Sequence, residues 1–308
     1  MGENLIASMP PEEKTTFFEL VNSQPFPRGN FWRAEKGDQV VHILGTYHLE
    51  DPRHAPTLAR ITPYLLESDV ILMESNSEDI RRLQMEMARR PEVMFIQEGP
   101  TLPELLPEDL WQRFSDEMRV RGVSPILASK FRPGYATMVL GTPPCAVDFA
   151  AGKAPEGIDV MIQEFAAEND LKTKSLEPFD TVLQLFELLE EGDPLEALHL
   201  GLALSNDATN SFVTMREEYF NGEHVAIWEF GRQTALATEG IDPEVLAADY
   251  DKMEKVMVND RNAHWLPVIL EQAEEGDVFV AVGAAHLGRE QGVLNGLAES
   301  GFTLMQLN

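Results

Sequence analysis

The sequence predicts an α/β fold: a central, mainly parallel mixed sheet flanked by helices, with a helical insertion or subdomain. Three observations carry this. Short runs rich in Val, Ile and Leu stand at Val40–Leu44, Val70–Met73 and Val278–Val282, the mark of strands buried on both faces. From Ser77 to about residue 260 the apolar residues instead recur at helical spacing. The chain then closes on a strand, a helix and a strand, as expected for a right-handed crossover onto a parallel sheet.

Taken in order, Pro10-Pro11 opens a short helix to Asn22, because proline is accepted in a first helical turn. Phe31–Glu35 and Gln39–Leu44 read as two strands around a Lys36-Gly37-Asp38 turn. Asp51-Pro52 reads as a helix start, with the helix running to about Ser68 and disturbed at Pro63. Asp69–Glu74 is a strand that ends in an acid. Residues 77–140 are helical, with Met85, Met87 and Met94 expected in a core. A loop rich in Pro, Gly and Ala spans Thr142–Gly157. Gly157-Ile158-Asp159 opens the next helix, and Thr173–Leu176 is a short strand closed by Glu177-Pro178. Phe179–Glu191, Pro194–Thr238 and Pro243–Ala273 are mainly helical. The last elements are a strand over Asp277–Val282, a helix over Glu290–Ser300 and a strand over Phe302–Leu307. One α/β domain over residues 1–308, with a mostly helical middle at about 77–260, accommodates all of them.

Composition excludes several functions. With 24 Lys+Arg against 52 Asp+Glu the chain carries a formal charge of −28. That argues against nucleic acid, whose binding rests on Lys and Arg, and against docking on anionic membranes. No apolar run is long enough to span a bilayer. No basic segment followed by an apolar core stands at the N-terminus, so no signal peptide is expected in this chain. Cys145 is the one cysteine, which rules out an intrachain disulfide and a thiolate zinc cluster. Its loop, Thr142-Pro-Pro-Cys145, favours an incidental role. Nothing in the sequence sets an oligomeric state.

The chemistry points to two strand ends. Val40–His48 and Val278–His286 each end in Gly-x-x-His. Seven His and 21 Gly in 308 residues give roughly 0.5 chance copies of that spacing, so the motif alone is weak. Its context is stronger, because ligands in open α/β sheets bind beyond the carboxyl ends of strands. Glu74 has the same address. If the three strands are neighbours, His48, Glu74 and His286 converge. Two imidazoles and a carboxylate suit a divalent metal of borderline hardness, or general acid–base work with water. The other reading of Glu74 is a cap for the helix after it. Arg261, between Asp260 and Asn262, is the candidate electrophile for a carboxylate or an oxyanion; a structural ion pair is the alternative. Asp51, Arg53 and His54 could support His48 from behind. His42 reads as a satisfied core histidine and His54 as a surface one. His199, His224 and His264 are not assigned.

These residues carry a resemblance. Leu44-Gly-Thr-Tyr-His48, the strand-final Glu74, Gly157-Ile-Asp159, Arg261-Asn262 with Trp265, and Val282-Gly-Ala-Ala-His-Leu287 resemble the TraB/GumN family. That family lies in the wider superfamily with the TIKI proteases, erythromycin esterases and ChaN haem-binding lipoproteins. The resemblance covers almost the whole chain. It implies an α/β fold and a site built from both Gly-x-x-His motifs and the Glu. By analogy with the TIKI branch it implies metal-dependent hydrolysis of a peptide or small-molecule substrate, with Mn, Co or Zn held by His48, Glu74 and His286. The esterase branch implies the alternative of metal-free His/Glu catalysis. The ChaN branch implies non-covalent haem binding, with Tyr47 and His48 as axial candidates. Many relatives carry a leader, so the family implies a periplasmic or lipid-anchored protein if a leader was removed and a cytoplasmic one otherwise.

Overall fold

A computed structural model of the chain describes residues 2–144, 156–190, 193–238 and 243–307. Cys145 and most of its loop lie outside the described residues. The strands are β1 (Phe31–Lys36), β2 (Gln39–Thr46), β3 (Val70–Met73), β4 (Thr173–Ser175), β5 (Val278–Gly283) and β6 (Thr303–Gln306). They form one mixed sheet in the order β4-β3-β5-β2-β1-β6. Pairs β4·β3, β3·β5 and β5·β2 are parallel, and β2·β1 and β1·β6 antiparallel. The predicted fold class is therefore the observed one, a mainly parallel sheet among helices.

The apolar runs explain the order. Every residue of β3 and of β5 is buried, so these strands need helices on both faces and occupy the middle of the sheet. One face packs Ile43, Leu72, Val280 and Val282 against Trp265, Ile269 and Leu294. The other packs Leu44, Ile71, Met73 and Phe279 against Ile61, Leu65, Ile158 and Ile162. The Lys36–Asp38 turn holds as read, with Gly37 at φ 60°, a left-handed conformation in which glycine is favoured. The closing strand differs from the simplest crossover. After the helix Val293–Glu299, β6 does not join β5 but pairs with β1 at the sheet edge. Its burial pattern suits an edge, since Met305 and most of its neighbours face solvent.

The chain divides into two compact units. The first comprises Met1–Asp79, Glu156–Pro178 and Asn210–Asn308 and contains the sheet. Part of the span read as a helical middle thus belongs to the sheet unit. The second comprises Ile80–Pro155 and Phe179–Thr209. Its described elements are helical, around a core that includes Leu102, Phe114, Met118, Phe131, Leu198 and Leu202. Arg121 is fully buried there and donates to Leu140 O, Thr142 O and Glu117 O. Met87 packs on Leu183 and Phe186, whereas Met85 is exposed rather than in a core. Among the described residues no helix is long and apolar enough to cross a membrane.

Candidate functional site

All four candidate residues lie in the sheet unit. Residues 41–46 of β2 pair with 278–283 of β5, and Val70–Met73 of β3 with Val278–Ala281. The carboxyl ends of β2, β3 and β5 are therefore adjacent, and His48, Glu74 and His286 stand one to three residues beyond them. Gly283 marks the meeting point. A β-carbon placed on it would lie 3.1 Å from His48 Nε2, 3.2 Å from Glu74 Oε1 and 3.6 Å from His286 Cδ2. The Gly283 N–H donates to Glu74 Oε1 at 2.7 Å.

The capping alternative for Glu74 is answered two residues further on. Asn76 Oδ1 accepts from the N–H groups of Glu78 and Asp79 and caps the helix Ser77–Arg89. Glu74 is left to the site.

His286 is buried, with its two nitrogens in different surroundings. Asn262 Nδ2 donates to His286 O and Gln291 O, which turns Asn262 Oδ1 toward the ring. His286 Nδ1–H then donates to Asn262 Oδ1 at 2.7 Å. Nε2 keeps its lone pair and faces Arg261 Nη1 at 3.4 Å. The indole of Trp265 packs on the ring at 4.4 Å between centroids. Burial pushes this imidazole down to about 3; Arg261, His48 and Arg289 add to that, against Glu74. His286 is thus neutral at physiological pH.

His48 differs, with its side chain 57% exposed. Its Nδ1 meets Asp159 Oδ1 at 3.2 Å, leaving Nε2 toward Gly283. Gly157 makes this possible. A β-carbon there would fall 2.3 Å from Tyr47 O and 2.5 Å from His48 Cα, so only glycine lets the helix Ile158–Glu168 start against that backbone. Desolvation by the walls pulls the His48 imidazole down. The bond to Asp159 and the charges of Glu74 and Asp159 outweigh it, and the ring stands at about 9.

Arg261 holds the centre from behind. It donates to Glu177 through Nε and Nη2, both at 2.8 Å, and to Glu74 Oε2 through Nη2 at 2.6 Å. Nη1 reaches Met257 O at 3.2 Å. A π-helical turn, Lys255–Asn259, immediately precedes the helix Asp260–Glu275 that carries Arg261, Asn262 and Trp265; such turns recur at functional sites. Burial raises the Glu74 carboxyl, but neighbouring positive charge and the Gly283 N–H hold it down at about 2. The groups that lower it are His286, Arg261 and His48, in that order; with His286 neutral, the cationic ones are Arg261 and His48. Burial pushes the Glu177 carboxyl up, opposed by its bonds to Arg261.

Several sequence expectations change here. Asp260 is not the partner of Arg261, since it pairs with Lys255; Asn262 serves His286. Asp51 and Arg53 bond each other, and Arg53 bonds Glu217. The residue that supports His48 is Asp159. The helix after His48 starts at His54. His54 is buried, not a surface residue, and donates through Nε2 to Leu49 O. His42 is buried, but its Nε2 has no hydrogen-bond partner among the described residues. Tyr47 is buried and stacked on Tyr219. Residue reasoning missed Glu177, although the signal was present: it is an acid just past a strand, the address that had singled out Glu74.

The chain belongs to the TraB/PrgY/gumN family. The family's model matches residues 30–306, a span that takes in every residue of the site. No curated protein matches the chain.

In type, the donors are those that a divalent metal of borderline hardness takes. Metal-bound imidazoles characteristically tie their second nitrogen to a carboxylate or amide, as His48 and His286 do through Nδ1, which leaves both Nε2 atoms for a ligand. The set is not closed. Among the described residues no three His, Cys, Asp or Glu side chains are gathered as a ready metal-binding group, and the Arg261 guanidinium touches both Glu74 and His286.

Proposed function

We propose that this TraB/PrgY/gumN protein is a metal-dependent hydrolase of peptide or amide bonds, with a divalent ion of the Mn, Co or Zn class held by His48, Glu74 and His286. The observation that carries the reading is the convergence beside Gly283. Three strand ends aim two Nδ1-tethered imidazoles and an ionised carboxylate at one point. The protonation states add support. A general base works best with a pKa near the operating pH, yet the imidazoles stand at about 9 and about 3 and Glu74 at about 2. None is poised to activate water near neutrality. A bound divalent ion supplies a nucleophilic water at neutral pH and polarises the scissile carbonyl. Around it, Asp159 orients His48, Asn262 fixes the His286 tautomer, and the Gly283 N–H orients Glu74. The Arg261 guanidinium stabilises negative charge developing on the substrate. His48 is the open member of the set and the one positioned to meet substrate. The peptide class rests on the resemblance to the TIKI branch.

One observation favours a second reading. The guanidinium already bridges Glu74 and His286, as expected if no metal enters and a neutral histidine takes the proton of an attacking water that Glu74 orients.

Metal content of the purified protein, measured by mass spectrometry after loading with Mn, Co or Zn, separates the two. Near-stoichiometric metal in the parent, lost in His286→Ala and in Glu74→Gln, is the expected result. Absence of metal in the loaded parent, with peptidase activity that survives chelators, overturns the metal reading in favour of the second.

A further inference from the structure

Arg261 is a cation placed against two of the three proposed metal ligands, so a metal entering the site must compete with it. The structure also holds a means of relieving that competition. Glu177 lies just past β4, which lies beside β3 in the sheet, and its side chain is only 6% exposed. Both of its oxygens are committed: Oε1 accepts from Arg261 Nη2, and Oε2 accepts from Arg261 Nε and from Trp265 Nε1 at 3.2 Å. Glu177 is thus bound to the guanidinium through both oxygens, and it is not among the groups nearest the Gly283 point. Its bond to the guanidinium is bidentate, the strong geometry for such pairs. The bond from Glu74 to the same guanidinium is single, through the Nη2 that Glu177 already shares.

We infer that Glu177 is a positioning residue that holds Arg261 so that Glu74 can exchange its guanidinium bond for a metal ion, an inference that rests on the metal reading above. When Glu74 turns to metal, Arg261 keeps both bonds to Glu177 and the one to Met257 O, so no buried charge loses its last counter-ion. Without the Glu177 carboxylate, Glu74 becomes the sole carboxylate partner of a buried guanidinium. Unpairing such a charge is strongly unfavourable, and metal binding would then have to oppose it.

The test is calorimetric titration of Mn²⁺ alone into the metal-free parent, Glu177→Gln, and the double variant Glu177→Gln/Arg261→Gln, with circular dichroism to monitor folding. Loss of a residue behind the ligands typically weakens metal binding by roughly 10- to 100-fold, and that loss is expected for Glu177→Gln. The double variant removes the competing cation as well and is expected to bind within a few-fold of the parent. A role for Glu177 in packing alone would leave the double variant at least as weak as the single one, and that result overturns the inference. So does Glu177→Gln binding as tightly as the parent. If Glu177→Gln does not fold, the double variant, which leaves no guanidinium to pair, is read alone: parent-like binding supports the inference and lost binding overturns it. No binding by the parent instead refutes the metal reading itself, and this inference with it.

Discussion

Replacing Gly283 by alanine tests the convergence with one methyl group. The backbone there has φ −51° and ψ 137°, a conformation open to any residue, so alanine brings no strain of its own. The new methyl would stand 3.1 Å from His48 Nε2, 3.2 Å from Glu74 Oε1 and 3.6 Å from His286 Cδ2. The first two contacts are tight and require side-chain shifts of a few tenths of an ångström, with the open His48 best able to move. Overpacking of this kind costs about 1–3 kcal/mol. Reduced freedom of the unfolded chain returns about 0.4–1 kcal/mol. The net destabilisation is between about 0 and about 2.6 kcal/mol, and the fold survives. The site does not, because the methyl occupies the space where the three groups meet. Disturbing the groups that place metal ligands typically costs roughly 10- to 100-fold in affinity, and a loss of Mn²⁺ affinity in that range is expected. Urea unfolding of the metal-free protein and calorimetric metal titration measure the two quantities separately. Gly283→Ala that binds metal within threefold of the parent would refute the convergence as the binding point. Destabilisation beyond about 4 kcal/mol would refute the claim that the methyl meets only side chains able to shift.

The same geometry makes four further outcomes testable. His48→Ala removes a half-open ring, so unfolding free energy should move by no more than about 1 kcal/mol while bound metal is lost; retained metal in that variant would contradict the ligand assignment. Asp159→Asn removes the carboxylate that lifts His48, and the imidazole should titrate well below its present value of about 9 when monitored by NMR in metal-free protein. Acid should destabilise the fold through buried histidines: burial holds His42 and His224 at about 4 and His286 at about 3, against 6.5 as the ordinary value. Their folded values are depressed, so from pH 6.5 down to about 4 for His42 and His224, and about 3 for His286, the unfolded chain binds more protons and stability falls with pH; urea unfolding near pH 5.5 should show proton uptake, reduced in His224→Gln, and flat stability across that window would contradict the buried neutral rings. Arg121→Met leaves three carbonyls and the Glu117 carboxylate in the helical unit without their guanidinium partner, and a loss of about 3 kcal/mol should be visible in the fluorescence of Trp111, whereas an unchanged midpoint would argue against the buried cage.

The site was legible where chemistry coincides with strand ends. Val40–Leu44, Val70–Met73 and Val278–Val282 announce themselves as buried strands because β-branched runs suit a sheet covered on both faces. The residues just beyond each run then lie a short distance from the sheet edge, however the loops turn. Glu177 was legible in position, since Thr173–Leu176 reads as a short strand that it closes, but that strand is half-buried and has little apolar content, so the acid at its end did not stand out as Glu74 did. Asn262 was misread for a different reason. Adjacent helical residues point about 100° apart, so a neighbour in sequence is a poor guide to the partner of Arg261. Asn262 reaches His286, and Asp260 turns to Lys255. The edge position of β6 was hidden too, because a closing β-α-β pattern specifies strand direction more firmly than which strand lies alongside.

The charge of the cluster bears on the metal reading independently of its geometry. Glu74, Asp159 and Glu177 contribute three carboxylates when Glu177 is ionised, a form that burial opposes and its two guanidinium bonds favour. Arg261 and protonated His48 contribute two positive charges, and His286 is neutral. The set therefore carries one uncompensated negative charge in a chain already at −28. Buried charge is tolerated when it is paired. A divalent ion that takes the place of the His48 proton adds two positive charges and removes one, and brings the cluster to neutrality. A monovalent cation that takes the place of the same proton leaves the deficit unchanged. The charge of the cluster is thus consistent with the divalent ion proposed for it.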